Sequence, residues 1–146
     1  MRIPKPQPRR SGSAAVELAV VLPFLCFMFV ISIDYARIFY FSLTMEHAAR
    51  NGAYFASDYP GLYSYTSAYD VTMADLTNIT PSPTVSILYG DAATGPFYSA
   101  TPIATGYVEV KVTWTFKSVT NFPLVPSQTV LVRSCRMAMA PIDPTF

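Results

Sequence analysis

Few side chains in this sequence are of types that do chemistry, and most of them stand alone. The 146 residues include one histidine, two cysteines, nine acids and ten bases. His47 adjoins Glu46, but the zinc-protease helix pattern needs a second histidine four residues on, where Asn51 stands. One histidine and two cysteines are too few ligands for a zinc site built from those types alone. The chain has no Gly-x-Ser-x-Gly elbow, no phosphate-binding glycine loop and no Cys-x-x-Cys pair. The sequence therefore predicts no catalytic residue, no metal and no cofactor, and His47 reads as a surface helical residue. Glu17 is different. It is the one charge in the twenty-one residues from Ser13 to Ile33. An acid at the centre of a membrane span costs about 2.5–3.5 kcal/mol and less near an end, so a cationic partner stabilises it.

The elements around Glu17 decide how that charge is used. Hydrophobic residues make up 51% of the chain and charged residues 13%, against roughly 25% charged in soluble domains. The net charge of +1 excludes a broadly basic nucleic-acid binder, which needs a concentrated positive surface. Arg2, Lys5, Arg9 and Arg10 crowd the first twelve residues with no acid among them, and Pro4, Pro6 and Pro8 keep that stretch extended. Residues 13–33 as a helix would be roughly 31 Å long, about the thickness of a bilayer core. Cationic flanks stay on the cytoplasmic side, so the expected topology is a single span with the leader 1–12 inside and the rest outside. A cleaved secretory signal fits less well. Its apolar core runs about 7 to 15 residues, and Val30 and Ser32 make a poor cleavage pair. Cys26 follows Pro23-Phe24-Leu25, which is no lipoprotein box.

The order of residues at the polar-to-apolar boundary is specific. Arg9-Arg10-Ser11-Gly12 is followed by Ser13-Ala14-Ala15-Val16-Glu17 and then unbroken apolar sequence, so the acid is fifth after the glycine. This arrangement resembles the amino terminus of type IV-like prepilins. Residues 14–23, Ala-Ala-Val-Glu-Leu-Ala-Val-Val-Leu-Pro, look like the TadE-like pseudopilins of the tight-adherence (Flp) pilus system. Asp34-Tyr35-Ala36-Arg37 and His47-Ala48-Ala49-Arg50-Asn51-Gly52-Ala53-Tyr54 agree with that family too. The resemblance covers residues 9 to 56. Ser13 stands where the family often has Ala, and Leu18 where it often has Phe or Tyr, which leaves TadE and TadF types both open.

The resemblance implies that a prepilin peptidase cuts between Gly12 and Ser13 and that Glu17 becomes residue five of the mature chain. The new α-ammonium at Ser13 would then lie one turn from Glu17, or the acid could meet the ammonium of a neighbouring subunit and set its register. Pro23 removes one backbone donor within the span. The implied partners are the membrane, the peptidase, other pilin or pseudopilin subunits and the assembly platform, at a bacterial cytoplasmic (inner) membrane and in a surface pilus.

Residues 34–56 read as an extension of the same helix outside the membrane. Asp34 with Arg37, and Glu46 with Arg50, are spaced to pair on one solvated face. Tyr35, Ile38, Phe39 and Ser42, then Met45, Ala49 and Gly52, fall at helical spacing, and Tyr35 and Tyr40 suit an interfacial belt. Gly52 marks a bend or a close contact, because it costs roughly 1 kcal/mol relative to Ala in a helix interior.

Residues 57–146 read as a small outer domain. A turn at Ser57-Asp58-Tyr59-Pro60-Gly61 opens a stretch rich in tyrosine (Tyr59, Tyr63, Tyr65, Tyr69), read as a packed loop or an aromatic surface. Asp70 to Leu76 suits a short helix or strand, and Thr84 to Tyr89 is a short apolar run. Tyr107 to Phe116 alternates, placing Val108, Val110, Val112, Trp114 and Phe116 on one face. Thr129 to Met139 is a further strand. The predicted fold class is α+β, a long amino-terminal helix followed by a small antiparallel sheet. Asn78-Ile79-Thr80 matches a glycosylation acceptor weakly, with Pro81 following. Cys26 and Cys135 fall on opposite sides of the expected boundary, so no bridge joins them.

The expected function is that of a minor pilin-like subunit, not an enzyme. Its alternative is a membrane-anchored extracytoplasmic binding domain whose helix is a simple anchor. A secreted enzyme with cryptic chemistry is a third reading.

Overall fold

The computed structural model describes residues 12–58, 68–100, 106–119 and 126–140. Alanine and phenylalanine are the commonest residues in the stretch after Gly12, and the backbone follows this largely apolar sequence into one helix, α1 (Ser13–Ser57), of 45 residues. At 1.5 Å per residue it is roughly 68 Å long. Pro23 lies inside it without ending it. The helix stops where Asp58 turns extended, its N–H donating to the Tyr54 carbonyl at 3.3 Å, while Ser57 Oγ donates to the same carbonyl at 2.8 Å.

A short helix, α2 (Ala68–Ala74), and three strands follow: β1 (Thr84–Gly90), β2 (Tyr107–Lys117) and β3 (Gln128–Ala138). The sheet has the order β1-β2-β3 and is antiparallel throughout, with Val110 opposite Ile87 on one side and Cys135 on the other. The α+β class expected from sequence is therefore the fold. The run read as Asp70 to Leu76 is helical but begins earlier, at Ala68. The strand read to end at Phe116 runs one residue further, to Lys117, and the one read from Thr129 begins at Gln128. The tyrosine-rich stretch falls mostly on 59–67, outside the described residues; Tyr69 lies exposed in α2.

The core lies between the outer half of α1 and one face of the sheet. Val108, Val110, Val112 and Phe116 are fully buried and Trp114 nearly so, as the alternation in β2 requires. Opposite them the helix presents Met45, Ala48, Ala49, Ala53 and Ala56. The alanines let the helix axis come close to the sheet, and the large volume is supplied from the sheet side. Burying a Val, Leu, Met or Phe side chain contributes about 1.5–3 kcal/mol each.

Helix and sheet match in length. From Asp34 to Ser57 the helix rises roughly 35 Å, and from Val108 to Ser118 the chain spans roughly 34 Å at strand geometry. Contacts mark the register along the whole run. Ser118 meets Asp34, Trp114 packs on Phe41 with ring centroids 5.0 Å apart, Arg133 donates to Ser42 Oγ, and Ser57 Oγ lies 3.9 Å from Met137 Sδ. The inner side of α1 follows the expected spacing at Ile38, Ser42, Met45, Ala49 and Gly52 and departs from it at Tyr35 and Phe39, which are exposed, while Asp34 is buried and Phe41 packs against the core.

Gly52 makes a close contact. A Cβ there would collide with Thr72 Oγ1 and lie 3.4 Å from the Ala68 carbonyl. The missing side chain is what lets α2 lie against α1.

Candidate functional site

The amino end of α1 is formed by Gly12, which caps the helix in α-region geometry with no side-chain cap, and whose carbonyl accepts from Val16 N–H at 3.3 Å. Among the described residues nothing comes within 4 Å of a Cβ built on Gly12. One turn on, Glu17 returns toward it: Ser13 Oγ donates to Glu17 Oε1 at 3.1 Å. The structure thus brings Ser13 and Glu17 together, at the distance that the i, i+4 spacing dictates. Pro23 lies six residues further along the same rod. Arg2, Lys5, Arg9 and Arg10 lie outside the described residues.

From Ser13 to Ile33 no residue of α1 is buried, and Val16, Leu18, Val20, Val21, Phe24 and Phe29 present large apolar surfaces outward. Among the described residues only Phe27, Val30 and Ile31 of this stretch are half-buried, and an apolar helix exposed to this extent favours an apolar surrounding. It is long and apolar enough to cross a membrane. Cys26 sits on it, exposed, and Cys135 is half-buried against the core; both are free thiols.

Where that exposed segment ends, the outer domain takes hold. Asp34 is fully buried. Its Oδ2 accepts from Ser118 Oγ at 2.8 Å, and its Oδ1 accepts from Val119 N–H and from Arg37, each at 3.4 Å. Arg37 in turn lies over the Phe116 ring, 5.2 Å from its centroid. Sequence spacing assigned Asp34 and Arg37 to a solvated pair, and the structure corrects this. The carboxylate fastens the end of β2 to the helix, and three donors compensate its burial. An acid at the boundary followed three residues later by Arg was the local signal. Its distant partners at 118 and 119 leave no local trace. Glu46 and Arg50, by contrast, form the expected exposed pair at 3.1 Å.

His47 is exposed on α1. Among the described residues no group of three or more His, Cys, Asp or Glu is placed to hold a metal ion. Asn78 and Thr80 are exposed, with Ile79 between them buried.

No curated protein and no solved structure matches the chain. A family model does match, over residues 12–53. That segment begins at Gly12, contains Ser13, Glu17, Pro23 and Asp34, and stops before α2 and the sheet. It is under a third of the chain. Over residues 12–53, from the helix cap to Ala53 in the buried stripe, the chain is similar to the family described as TadE-like protein.

Proposed function

We propose that this chain is a minor pilin-like subunit, a pseudopilin, required for assembly of a tight-adherence (Flp) type pilus. The TadE-like match over residues 12–53 points to that system. The observation that carries the reading further is the Ser13–Glu17 hydrogen bond, which holds the acid one turn from the Gly12–Ser13 peptide at the head of a largely exposed apolar helix. In this reading the chain is inserted as a single-span precursor with residues 13–33 in lipid, its amino end in the cytoplasm and its sheet outside. A prepilin peptidase cuts after Gly12. The leader carries four of the ten bases and no acid, so cutting removes the charge that held the tail inside, while the apolar helix still resists extraction. It also creates an α-ammonium at Ser13 in reach of Glu17 or of a neighbour's acid.

Lipid solvates apolar side chains well, so hydrophobic expulsion does not drive these helices together. Packing and the charge pair must favour one register. The outer domain, held rigidly at Asp34, would be carried into the assembly with the helix. Intact-mass measurement of the chain extracted from membranes tests this. Loss of residues 1–12 is the expected result. A full-length chain would instead favour the plain anchor, and loss through Ser32 a secreted protein.

A further inference from the structure

Beside the Asp34 clasp the helix and the sheet leave a cleft of about 320 Å³. Its walls are the rings of Phe41 and Trp114, and its polar groups are Arg37, Lys117, Asn78, Thr80 and Thr115. No acid lines it. Asp34 accepts one of the five N–H donors of Arg37, and the guanidinium remains partly exposed. Lys117, at the end of β2, is exposed and forms no ion pair among the described residues. Asn78 and Thr80 add uncharged donors on the third side.

The cleft's height along the helix identifies what it meets. Arg37 lies four residues beyond Ile33, a rise of roughly 6 Å. The headgroup layer on each side of a bilayer core is about 5–8 Å deep. With residues 13–33 in lipid, as the proposed function has them, Arg37 and the cleft mouth stand level with the phosphates. We infer that the Arg37–Lys117 cleft binds the phosphodiester of an anionic membrane phospholipid. Arg37 offers a planar fork and Lys117 a point charge, the two ways proteins hold phosphate oxygens. A choline or ethanolamine headgroup would bring its own cation against Lys117, whereas a glycerol headgroup brings hydroxyls that Asn78 and Thr80 can bond. The inference rests on membrane insertion alone, not on cleavage or pilus assembly.

Trp114 is the single tryptophan of the chain, so its fluorescence reports the cleft directly. The full chain in phosphate-free maltoside detergent is titrated with dihexanoyl phosphatidylglycerol, with dihexanoylglycerol, which lacks phosphate, and with inorganic phosphate. The expected result is a saturable change with phosphatidylglycerol only. Lys117→Gln should weaken it about tenfold, the equivalent of one charge-assisted contact, and Lys117→Arg should retain it. Equal titrations for Lys117→Gln and the parent overturn the proposal. So does an equal response to dihexanoylglycerol or to inorganic phosphate. Resistance to alkaline extraction, measured on the same variants, shows separately whether the helix is in the membrane, so failure of lipid binding is distinguishable from failure of insertion.

Discussion

The hydroxyl of Ser118 donates to Asp34 Oδ2 at 2.8 Å across 84 positions of sequence, and this bond closes the sheet onto the helix where the exposed apolar segment ends. Asp34→Ala would leave the Ser118 hydroxyl, the Val119 N–H and one Arg37 donor without that acceptor. Unmade buried bonds of this kind cost about 1–3 kcal/mol, and more when a charge is left behind. The variant should lose about 3 kcal/mol of stability, read by denaturant unfolding of the full chain followed at Trp114. Asp34→Asn, which keeps one acceptor, should lose less. Equal stability of Asp34→Ala and the parent would show that the clasp holds nothing.

Gly52→Ala sets two effects against each other. Alanine favours helix by about 1 kcal/mol, but its Cβ meets Thr72 Oγ1 and the Ala68 carbonyl behind it. Overpacking of this kind costs typically about 1–3 kcal/mol, so the variant should be destabilised overall. Adding Thr72→Ala to the same chain removes the colliding hydroxyl. The double variant should be more stable than the sum of the two single changes, as a double-mutant cycle would measure.

Glu17→Ala separates assembly from anchoring. Glu17 is exposed, and its hydrogen bond to Ser13 runs within α1, far along the helix from the sheet. Cleavage and membrane retention should persist, measured by intact mass and extraction. Incorporation into pili should fall about tenfold or more, the equivalent of losing one modest charge pair. Normal incorporation would leave Glu17 as an ordinary headgroup-reaching side chain.

Burial of Tyr89 raises its phenol pKa above the usual value by desolvation. The unfolded chain releases this proton near pH 10, whereas the folded chain holds it to higher pH. The contribution to stability is therefore complete below about pH 10 and is lost as pH rises through the folded pKa. Tyr89→Phe should flatten that alkaline decline relative to the parent, in melting curves taken between neutral pH and about pH 11. Parallel declines for the two chains would assign the loss to other groups.

Local pattern was enough for most of the fold. Strict alternation from Val108 to Phe116 placed the buried face of β2, because a period of two admits no other reading. The long helix followed from the apolar run of residues 13–33 and from the helical spacing of residues 34–56 beyond it. The amino-end site was legible for the same reason: Gly12, Ser13 and Glu17 lie within one and a half turns, so spacing alone brings them together. What sequence could not supply was pairing across long separations. Asp34 looked solvated because Arg37, three residues on, offered a local partner, whereas the Ser118 and Val119 donors come from beyond β2. Tyr35 and Phe39, expected on one side with Ile38 and Ser42, are exposed, and Asp34 and Phe41 turn inward instead. The cleft beneath Trp114 was likewise hidden, because its walls come from α1, β2 and the segment before β1.

A continuous rod clasped at Asp34 behaves as a torsion shaft. Each residue added to an α-helix advances its azimuth by about 100°. One alanine inserted between Ile33 and Asp34 would therefore swing the sheet about a quarter-turn relative to Glu17, leaving both halves individually intact. The phase between Glu17 and the outer face is thus encoded in residue count, and under the proposed assembly a chain with the right parts at the wrong azimuth would present its sheet to the wrong neighbour.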